Sequence, residues 1–139
     1  MEATDYLKQI KGINIGIKLK IGEMSWTQRM LDNLIKVWGP YFTRHSSETP
    51  AFQNSIVKLS LREQELSEQI DELVLTKAAA ESLFDRLENP VYRTILWHRY
   101  MEDRSFEDIS GQIECGERWT RRLHDKAVAE FERIYDKAS

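Results

Sequence analysis

The sequence has few of the residues that break helices or cross-link a chain, with three prolines, six glycines and one cysteine in 139 residues. A lone cysteine cannot form an internal disulfide, which favours a reducing compartment and a buried structural role for Cys115. With a charged fraction of 31%, the scarcity of proline and glycine predicts an all-α protein. The sequence also lacks an apolar run of 18 residues and a basic-then-apolar leader. We therefore expect no membrane span and no secretory signal, and we predict a cytoplasmic protein.

Motifs that would indicate an enzyme or a bound cofactor are also scarce. The histidines His45, His98 and His124 are far apart, and none has a second ligand at a spacing typical of a metal site. Glu102 lies four residues after His98, which we interpret as a surface ion pair. No glycine-rich phosphate loop is present. We predict that the chain is not an enzyme and binds neither a metal nor a cofactor.

The stretch from Ser105 to Tyr135 carries the clearest organisation. Ser105 can cap a first helix, with Asp108 as its acidic partner, and we expect that helix to end at Ile113. About three residues follow before a second helix begins near Glu117. The two apolar faces consist of Phe106, Ile109 and Ile113, and of Thr120, Leu123, Ala127, Phe131 and Ile134. Two helices joined by so short a turn fit a helix-turn-helix, whose second helix enters the major groove of DNA.

Residues 105–131, SFEDISGQIECGERWTRRLHDKAVAEF, resemble region four of bacterial sigma factors, and the preceding LENPVYRTILWHRYMED is similar to the helix that leads into it. The longer span from about Phe52 to Tyr135 resembles phage regulators of late transcription of the ArpU/RinA type, in which a charged helical segment precedes a sigma-like domain. This span is more than half of the chain. The resemblance implies a DNA-binding activator of phage late genes in the bacterial host cell, with host RNA polymerase as a further partner.

The turn between the two helices departs from the pattern of that family. The family has glycine, an aliphatic residue and a Ser or Thr cap where this chain has Glu114, Cys115 and Gly116. We expect Glu114 to adopt the left-handed conformation, at a cost of about 1 kcal/mol relative to glycine. Gly116 is an acceptable cap without a side-chain acceptor. Thr120 replaces an aliphatic core residue, so its hydroxyl needs a backbone partner.

The second helix presents a basic cluster opposite its apolar face, formed by Arg118, Arg121, Arg122 and Lys126. Spacing alone favours a solvated helix face, whereas the short turn and the family resemblance favour DNA. We predict that the three arginines face the major groove, because arginine suits the O6 and N7 acceptors of guanine. Lys126 and Arg104 are expected to contact phosphates. Glu117 is expected to accept a hydrogen bond from cytosine, or to stabilise the positive end of the helix dipole at the N-terminus. The net charge of −3 requires that such binding be local.

Two long stretches before this region have heptad spacing. The first seam is Leu7, Ile10, Asn14, Ile17, Ile21, Met24, Gln28, Leu31, Ile35 and Trp38, and the second is Phe52, Ile56, Leu59, Glu63, Leu66, Ile70, Leu73, Lys77, Ala80, Phe84 and Leu87. The first is expected as one helix, or as two that separate near Gly22 with Ser25 as a new cap. Gly39 and Pro40 are expected to end it, with a loop at about 39–50.

A single helix cannot bury such a seam alone. We therefore expect residues 1–88 to form a helical hairpin, or a coiled-coil region that pairs with another copy as a homodimer or higher homo-oligomer. A helix-turn-helix domain at 89–139 is expected to follow, opened by Asn89 as cap and Pro90 in the first turn of a helix that extends to about Met101. Its predicted core is Val91, Ile95, Leu96, Phe106, Ile109, Ile113, Leu123, Ala127 and Phe131.

Three alternatives to a DNA-reading regulator remain open. A sigma-like adaptor would bind RNA polymerase and barely touch DNA. A packaging factor similar to a small terminase would have a ring-sized mass, and a coiled-coil scaffold would show no salt-dependent affinity for DNA. Trp119 is expected to pack on the helix after Pro90 or to seal a subunit contact, since indole offers one donor and no acceptor to a base.

Overall fold

The computed structural model describes residues 2–44 and 49–139, and every regular element within these ranges is helical. The α-helices are α1 (Ala3–Ile10), α2 (Ile13–Asn33), α3 (Gly39–Arg44), α4 (Thr49–Asp85), α5 (Pro90–Leu96), α6 (Phe106–Ile113) and α7 (Glu117–Ala138). Wider π-helical turns occupy Leu34–Trp38 and Trp97–Met101. The all-α prediction is confirmed. Positions 45–48 of the predicted loop, His45 among them, lie outside the described residues.

The chain divides into two compact units. The first, here called the terminal unit, contains the residues up to Gly16 together with Leu73–Ser139, and the second, the central unit, is Ile17–Glu72. The sequence predicted one boundary at 88/89, whereas this division falls at 16/17 and 72/73. The difference arises because α1 and the end of α4 pack with the last helix of the chain.

Aromatic contacts hold α1 in the terminal unit. The ring of Tyr6 stacks on that of Phe131 with centroids 6.1 Å apart, and its centroid lies 5.2 Å from that of Tyr135. Phe84, near the end of α4, meets Phe131 edge-on at 5.4 Å. Leu7 and Ile10 are each 1% exposed. These contacts make α1 part of the core of the terminal unit. Burying a large apolar side chain to this extent stabilises the folded state by about 1.5–3 kcal/mol.

The predicted core of residues 89–139 is largely confirmed. Ile95, Leu96, Ile109, Ala127 and Phe131 are fully buried, and Phe106, Ile113 and Leu123 are half-buried. The prediction is wrong for Val91, which is 38% exposed in the first turn of α5. Met101, at the end of the π-helical turn, is fully buried and was not among the predicted core residues.

Local capping signals are confirmed in the terminal unit. The Val91 N–H donates to Asn89 Oδ1 at 2.9 Å, and Pro90 occupies the first turn of α5. The Asp108 N–H donates to Ser105 Oγ at 3.1 Å, so Ser105 caps α6. These bonds satisfy backbone donors that the helices leave without partners.

The break in the first predicted seam lies at Gly12, and Gly22 and Ser25 lie within α2. Gly12 has φ +74°, which favours glycine, and its N–H donates to the Tyr100 carbonyl at 2.7 Å. Beyond the break, Asn14 Nδ2 donates to Glu102 Oε1 at 2.9 Å. Residues 7–38 are therefore not one helix, and the predicted break at Gly22 is wrong.

The buried line of α2 in the central unit differs from the predicted seam. Ile21 and Ile35 are 48% and 50% exposed, whereas Thr27 is 2% exposed. The Thr27 hydroxyl donates to the Glu23 carbonyl at 2.9 Å, which satisfies this polar group and allows its burial. The expectation that Gln28 lies in the seam is wrong, because its side chain is exposed.

The second seam is confirmed along α4 and in the turn after it, where Leu87 lies, since each of its residues is buried or half-buried and the neighbouring positions are mostly exposed. Within the central unit, Arg62 of α4 pairs with Glu23 of α2 at 2.6 Å. The prediction that Gly39 and Pro40 end the preceding helix is wrong. The Gly39 N–H bonds back to the Leu34 carbonyl in the π-helical turn, and α3 then begins. Pro40 is tolerated there because a helix needs no backbone donor in its first turn.

Candidate nucleic-acid interface

Helices α6 and α7 are separated by the three residues Glu114, Cys115 and Gly116. Glu114 has φ 57° and ψ 39°, so the expected left-handed conformation is confirmed. Gly116 caps α7 without a side-chain hydrogen bond, also as expected. Thr120 is fully buried, and its hydroxyl donates to the Gly116 carbonyl at 3.0 Å. This bond supplies the backbone partner that the sequence required and ties the start of α7 to its cap.

Arg118 and Arg122 lie on the outward side of α7, opposite the buried Thr120, Ala127 and Phe131. They are four positions apart, so their side chains are neighbours on the helix surface. Both are exposed, and neither forms an ion pair with any residue that the structure describes. These two guanidinium groups therefore keep their donors available for a ligand.

Arg121 lies at the edge of the same surface and is already engaged. Its guanidinium pairs with the Glu117 carboxylate at 3.0 Å, and its Cζ lies 4.5 Å from the centroid of the Phe106 ring. The ion pair is an exposed i, i+4 pair, worth a few tenths of a kcal/mol. Glu117 consequently offsets part of the charge of Arg121, and this arginine differs from its two neighbours.

On the opposite edge of α7, Lys126 approaches the indole of Trp119, with Nζ 5.5 Å from the ring centroid. Trp119 is 47% exposed. Its described contact is thus with a lysine of its own helix, a cation–π arrangement worth about 0.5–1 kcal/mol at an exposed site. The expected packing of Trp119 on α5 stays a prediction.

Arg104 lies in the connection between the π-helical turn and α6, and so it is not part of the basic cluster on α7. Its N–H donates to the His98 carbonyl at 3.1 Å, and its own carbonyl accepts from Arg99 Nη1 at 2.9 Å.

Burial and the charge of Arg104 lower the pKa of His98. His98 Nδ1 is buried without a hydrogen-bond partner among the described residues, and Glu102 binds Asn14. The expected ion pair between His98 and Glu102 is therefore wrong.

His124 is the most enclosed polar group beside the arginine cluster. Its Nε2 lies 2.9 Å from the Tyr100 hydroxyl, and its Nδ1 lies 3.2 Å from Asp125 Oδ1. The Phe106 ring meets the imidazole edge-on at 5.0 Å. Burial lowers the pKa of His124, while the hydrogen bond to Asp125 acts in the opposite direction. The lowered pKa favours the neutral imidazole, whose Nε2 forms the hydrogen bond that links Tyr100 to α7.

Sequence reasoning missed the other basic residues that gather beside Arg121. A cavity of about 410 Å³ lies between α1, the second π-helical turn and α7, and it is lined by Lys8, Lys11 and Arg99 as well as Arg121. Arg99 Cζ lies 4.3 Å from the centroid of the Phe106 ring. Residues 8 and 121 are too far apart in sequence for a periodic pattern to relate them.

Other classes of site receive no structural support within residues 2–44 and 49–139. Over these ranges, no three His, Cys, Asp or Glu side chains are grouped so that they could hold a metal ion. No described helix combines the length and the apolar character needed to cross a bilayer. The thiol of Cys115 contacts the carbonyl of Ile113 at 3.6 Å, and His124 is not among its partners.

Comparisons with known proteins do not extend these findings. No protein-family model, no curated protein and no solved structure matches the chain.

Proposed function

We propose that this chain is a sequence-specific DNA-binding transcription regulator in which α6 and α7 act as a helix-turn-helix. The observation that carries the proposal is the outward face of α7, where Arg118 and Arg122 are exposed and unpaired directly after a three-residue turn. A helix N-terminus with free arginines is the arrangement that enters a major groove and reaches base edges.

The two outward arginines are the residues that read bases in this proposal. A bidentate pair from arginine to guanine discriminates against a wrong base by about 1–3 kcal/mol. Arg121 is held by Glu117 and Phe106 at the edge of the face, so it contacts the backbone or is reoriented on binding. Lys126 and Arg104 contact phosphates, and Glu117 complements the N-terminus of α7.

The resemblance to sigma region four and to ArpU/RinA-type regulators supplies the biological part of the proposal. The regulator activates phage late genes in the bacterial host, and host RNA polymerase is its second partner. Trp119, 47% exposed at the edge of α7, favours a protein contact on this side of the unit. A sigma-like adaptor whose main ligand is polymerase is therefore the second candidate.

The central unit is proposed to join two copies of the chain. Its helices expose large apolar residues, among them Leu19 at 70%, Trp26 at 54% and Leu61 at 56%. Exposed apolar surface of this kind marks protein contacts. One three-helix domain buries too little surface on DNA to select an operator by itself. Two such domains, joined by the central units, would bind two half-sites.

The deciding experiment measures affinity for a duplex carrying a candidate late promoter of the source genome and for a scrambled duplex, at two salt concentrations. The test variant is Arg118→Ala/Arg122→Ala. The control is Arg133→Ala, which removes an arginine of α7 that is 74% exposed and lies beyond the proposed reading segment. We expect selective, salt-sensitive binding by the native and control proteins, and loss of selectivity in the test variant.

Two results would contradict the proposal in different ways. If the native protein binds neither duplex, DNA reading fails, and binding to purified host polymerase then tests the adaptor function. If the test variant binds both duplexes as the native protein does, α7 is not the reading helix. A ring-sized mass in solution would instead favour a packaging factor similar to a small terminase.

A further inference from the structure

A second basic surface adjoins the reading helix, on the side of Arg121. Four cationic side chains line one cavity of about 410 Å³: Lys8 of α1, Lys11 directly after α1, Arg99 of the π-helical turn and Arg121 of α7. In a chain with a net charge of −3, this local concentration of positive charge is distinctive. It identifies the cavity as a candidate site for an anion.

The fold places these cations together through identifiable bonds. The left-handed turn at Gly12 ends α1, and the Gly12 N–H donates to the carbonyl of Tyr100 at 2.7 Å. Lys11, directly before this turn, is thereby held beside the π-helical segment that carries Arg99 and Tyr100. Lys8 lies one helical turn earlier and faces the same cavity. The juxtaposition therefore depends on a backbone hydrogen bond and not on flexible side chains alone.

Three carboxylates lie near the four cations of the cavity, so among the described residues one positive charge is left without a negative partner. Asp125 lines it, Asp103 lies 3.6 Å from Lys11, and Glu117 pairs with Arg121. Lys8 forms no ion pair with any described residue, and Arg99 donates to a backbone carbonyl.

The two guanidinium groups add a further reason to expect an anion. Arg99 and Arg121 both approach the ring of Phe106, at 4.3 and 4.5 Å from its centroid. Two like charges held over one ring repel each other, and the ring offsets only part of that cost. A bound anion would offset the remainder.

We propose that this cavity binds a phosphate group of the DNA backbone beside the groove that α7 enters, with Lys8 and Lys11 as donors on its α1 side. The proposal rests on the DNA-binding function and extends it to a second element. Arg121 belongs to both surfaces and so connects the N-terminal part of α7 to the cavity. Lysine suits phosphate as a point charge, and arginine binds it with two donors.

The test measures the affinity of Lys8→Gln/Lys11→Gln and of the native protein for the same promoter and scrambled duplexes over a series of salt concentrations. The control Lys18→Gln/Lys36→Gln removes the same charge from two exposed lysines of the central unit. A charge-preserving variant, Lys8→Arg/Lys11→Arg, separates loss of charge from loss of shape. Both cavity lysines are exposed, so the substitutions leave the core intact.

We expect the cavity variant to lose affinity for both duplexes equally, by roughly tenfold or more, and the slope of log affinity against log salt to fall by about 1–2. The ratio between promoter and scrambled duplex should stay at its native value, and the arginine variant should retain native binding. If the native protein binds DNA and the cavity variant matches it, or loses no more affinity than the control, the phosphate site is overturned while the reading function of α7 stands.

A second arm distinguishes the DNA backbone from a free phosphate compound. Inorganic phosphate is titrated into the native and cavity-variant proteins, and the ring resonances of His124, which lines the cavity, are followed by NMR. If the native protein binds no duplex, the backbone source is overturned together with the proposed function. A saturable shift that is absent from the variant then assigns the cavity to free phosphate, and no shift overturns the anion site altogether.

Discussion

The terminal and central units use their apolar side chains in opposite ways. Of the fully buried apolar residues in the part of the chain that the structure describes, all but Leu66 belong to the terminal unit. Most of the exposed large apolar residues belong to the central unit, namely Leu19, Ile21, Trp26, Met30, Ile35, Val37, Trp38, Tyr41, Val57 and Leu61. Burial drives folding, and exposed apolar surface drives association. The terminal unit is therefore expected to be stable by itself, and the central unit to depend on a partner.

The largest expected effect tests whether α1 belongs to the terminal core. Leu7→Ala should lower the free energy of unfolding by about 2–5 kcal/mol, because Leu7 is 1% exposed and its removal leaves a cavity. Leu75→Ala is the matched control, since Leu75 is 71% exposed and should change stability by about 0.5 kcal/mol or less. Urea unfolding monitored by circular dichroism gives both values.

Hydrogen exchange sharpens the same comparison. In Leu7→Ala, amides of α7 should lose protection although they lie far from the substitution in sequence, because both helices share one core. Amides of α2 within the central unit should keep theirs. Unchanged protection in α7 would show that α1 contributes nothing to the terminal unit.

The next effect concerns the apolar surface of the central unit. Leu19 and Trp26 are one heptad apart on α2 and both exposed, so Leu19→Gln/Trp26→Gln should raise the dissociation constant of the homo-oligomer at least about tenfold. Lys18→Gln/Ser25→Gln, also one heptad apart but polar in the native chain, is the control. Sedimentation velocity over a range of concentrations measures the effect. A native protein that stays monomeric throughout contradicts the pairing of two DNA-binding domains.

A smaller effect is expected at the turn before α7. Glu114→Gly should stabilise the terminal unit by up to about 1 kcal/mol, because glycine adopts φ 57° without the steric cost that glutamate incurs. Thermal unfolding should report the gain as a higher midpoint. A Glu114→Ala variant keeps the strain and removes the charge, so equal stabilisation in that variant would assign the effect to charge instead.

The smallest expected effect is a loss of stability as the pH falls. Burial lowers the pKa of both His98 and His124, so the unfolded chain takes up protons first as the pH falls below about 6.5. The contribution of these groups to stability is present at neutral pH and is lost as the pH falls through their folded pKa values. Unfolding free energies at several pH values should show this decline, and His124→Gln should make it shallower. An equal slope in the variant would remove His124 from the explanation.

Local signals made part of this structure predictable. Ser105, Asn89 and Pro90 mark helix starts through bonds to their immediate neighbours, and the seam of α4 follows from periodicity within a single helix. The basic face of α7 was predictable for the same reason. Helices α6 and α7 therefore begin where the sequence indicated.

Long-range relations were not predictable in this way. The heptad spacing continues through Gly12, so it gave no sign that Leu7 and Ile10 pack in a different unit from Met24. Periodicity identifies a face and not its partner. Lys8 and Arg99 were not identified as site residues for this reason. The packing of α1 brings Lys8 to the cavity, and Arg99 meets Arg121 at the ring of Phe106.

The contact between α1 and α7 also has a consequence for folding kinetics. Tyr6 and Phe131 are separated in sequence by the whole central unit, so their contact closes a very long loop. Contacts between distant parts of the sequence slow folding, because the chain loses the entropy of the loop before the contact forms. During synthesis, α1 emerges long before its partner, while α2 and α4 can already form local contacts. The apolar face of α1 is thus exposed until α7 is made, and chaperone binding to nascent chains should be strongest in that interval.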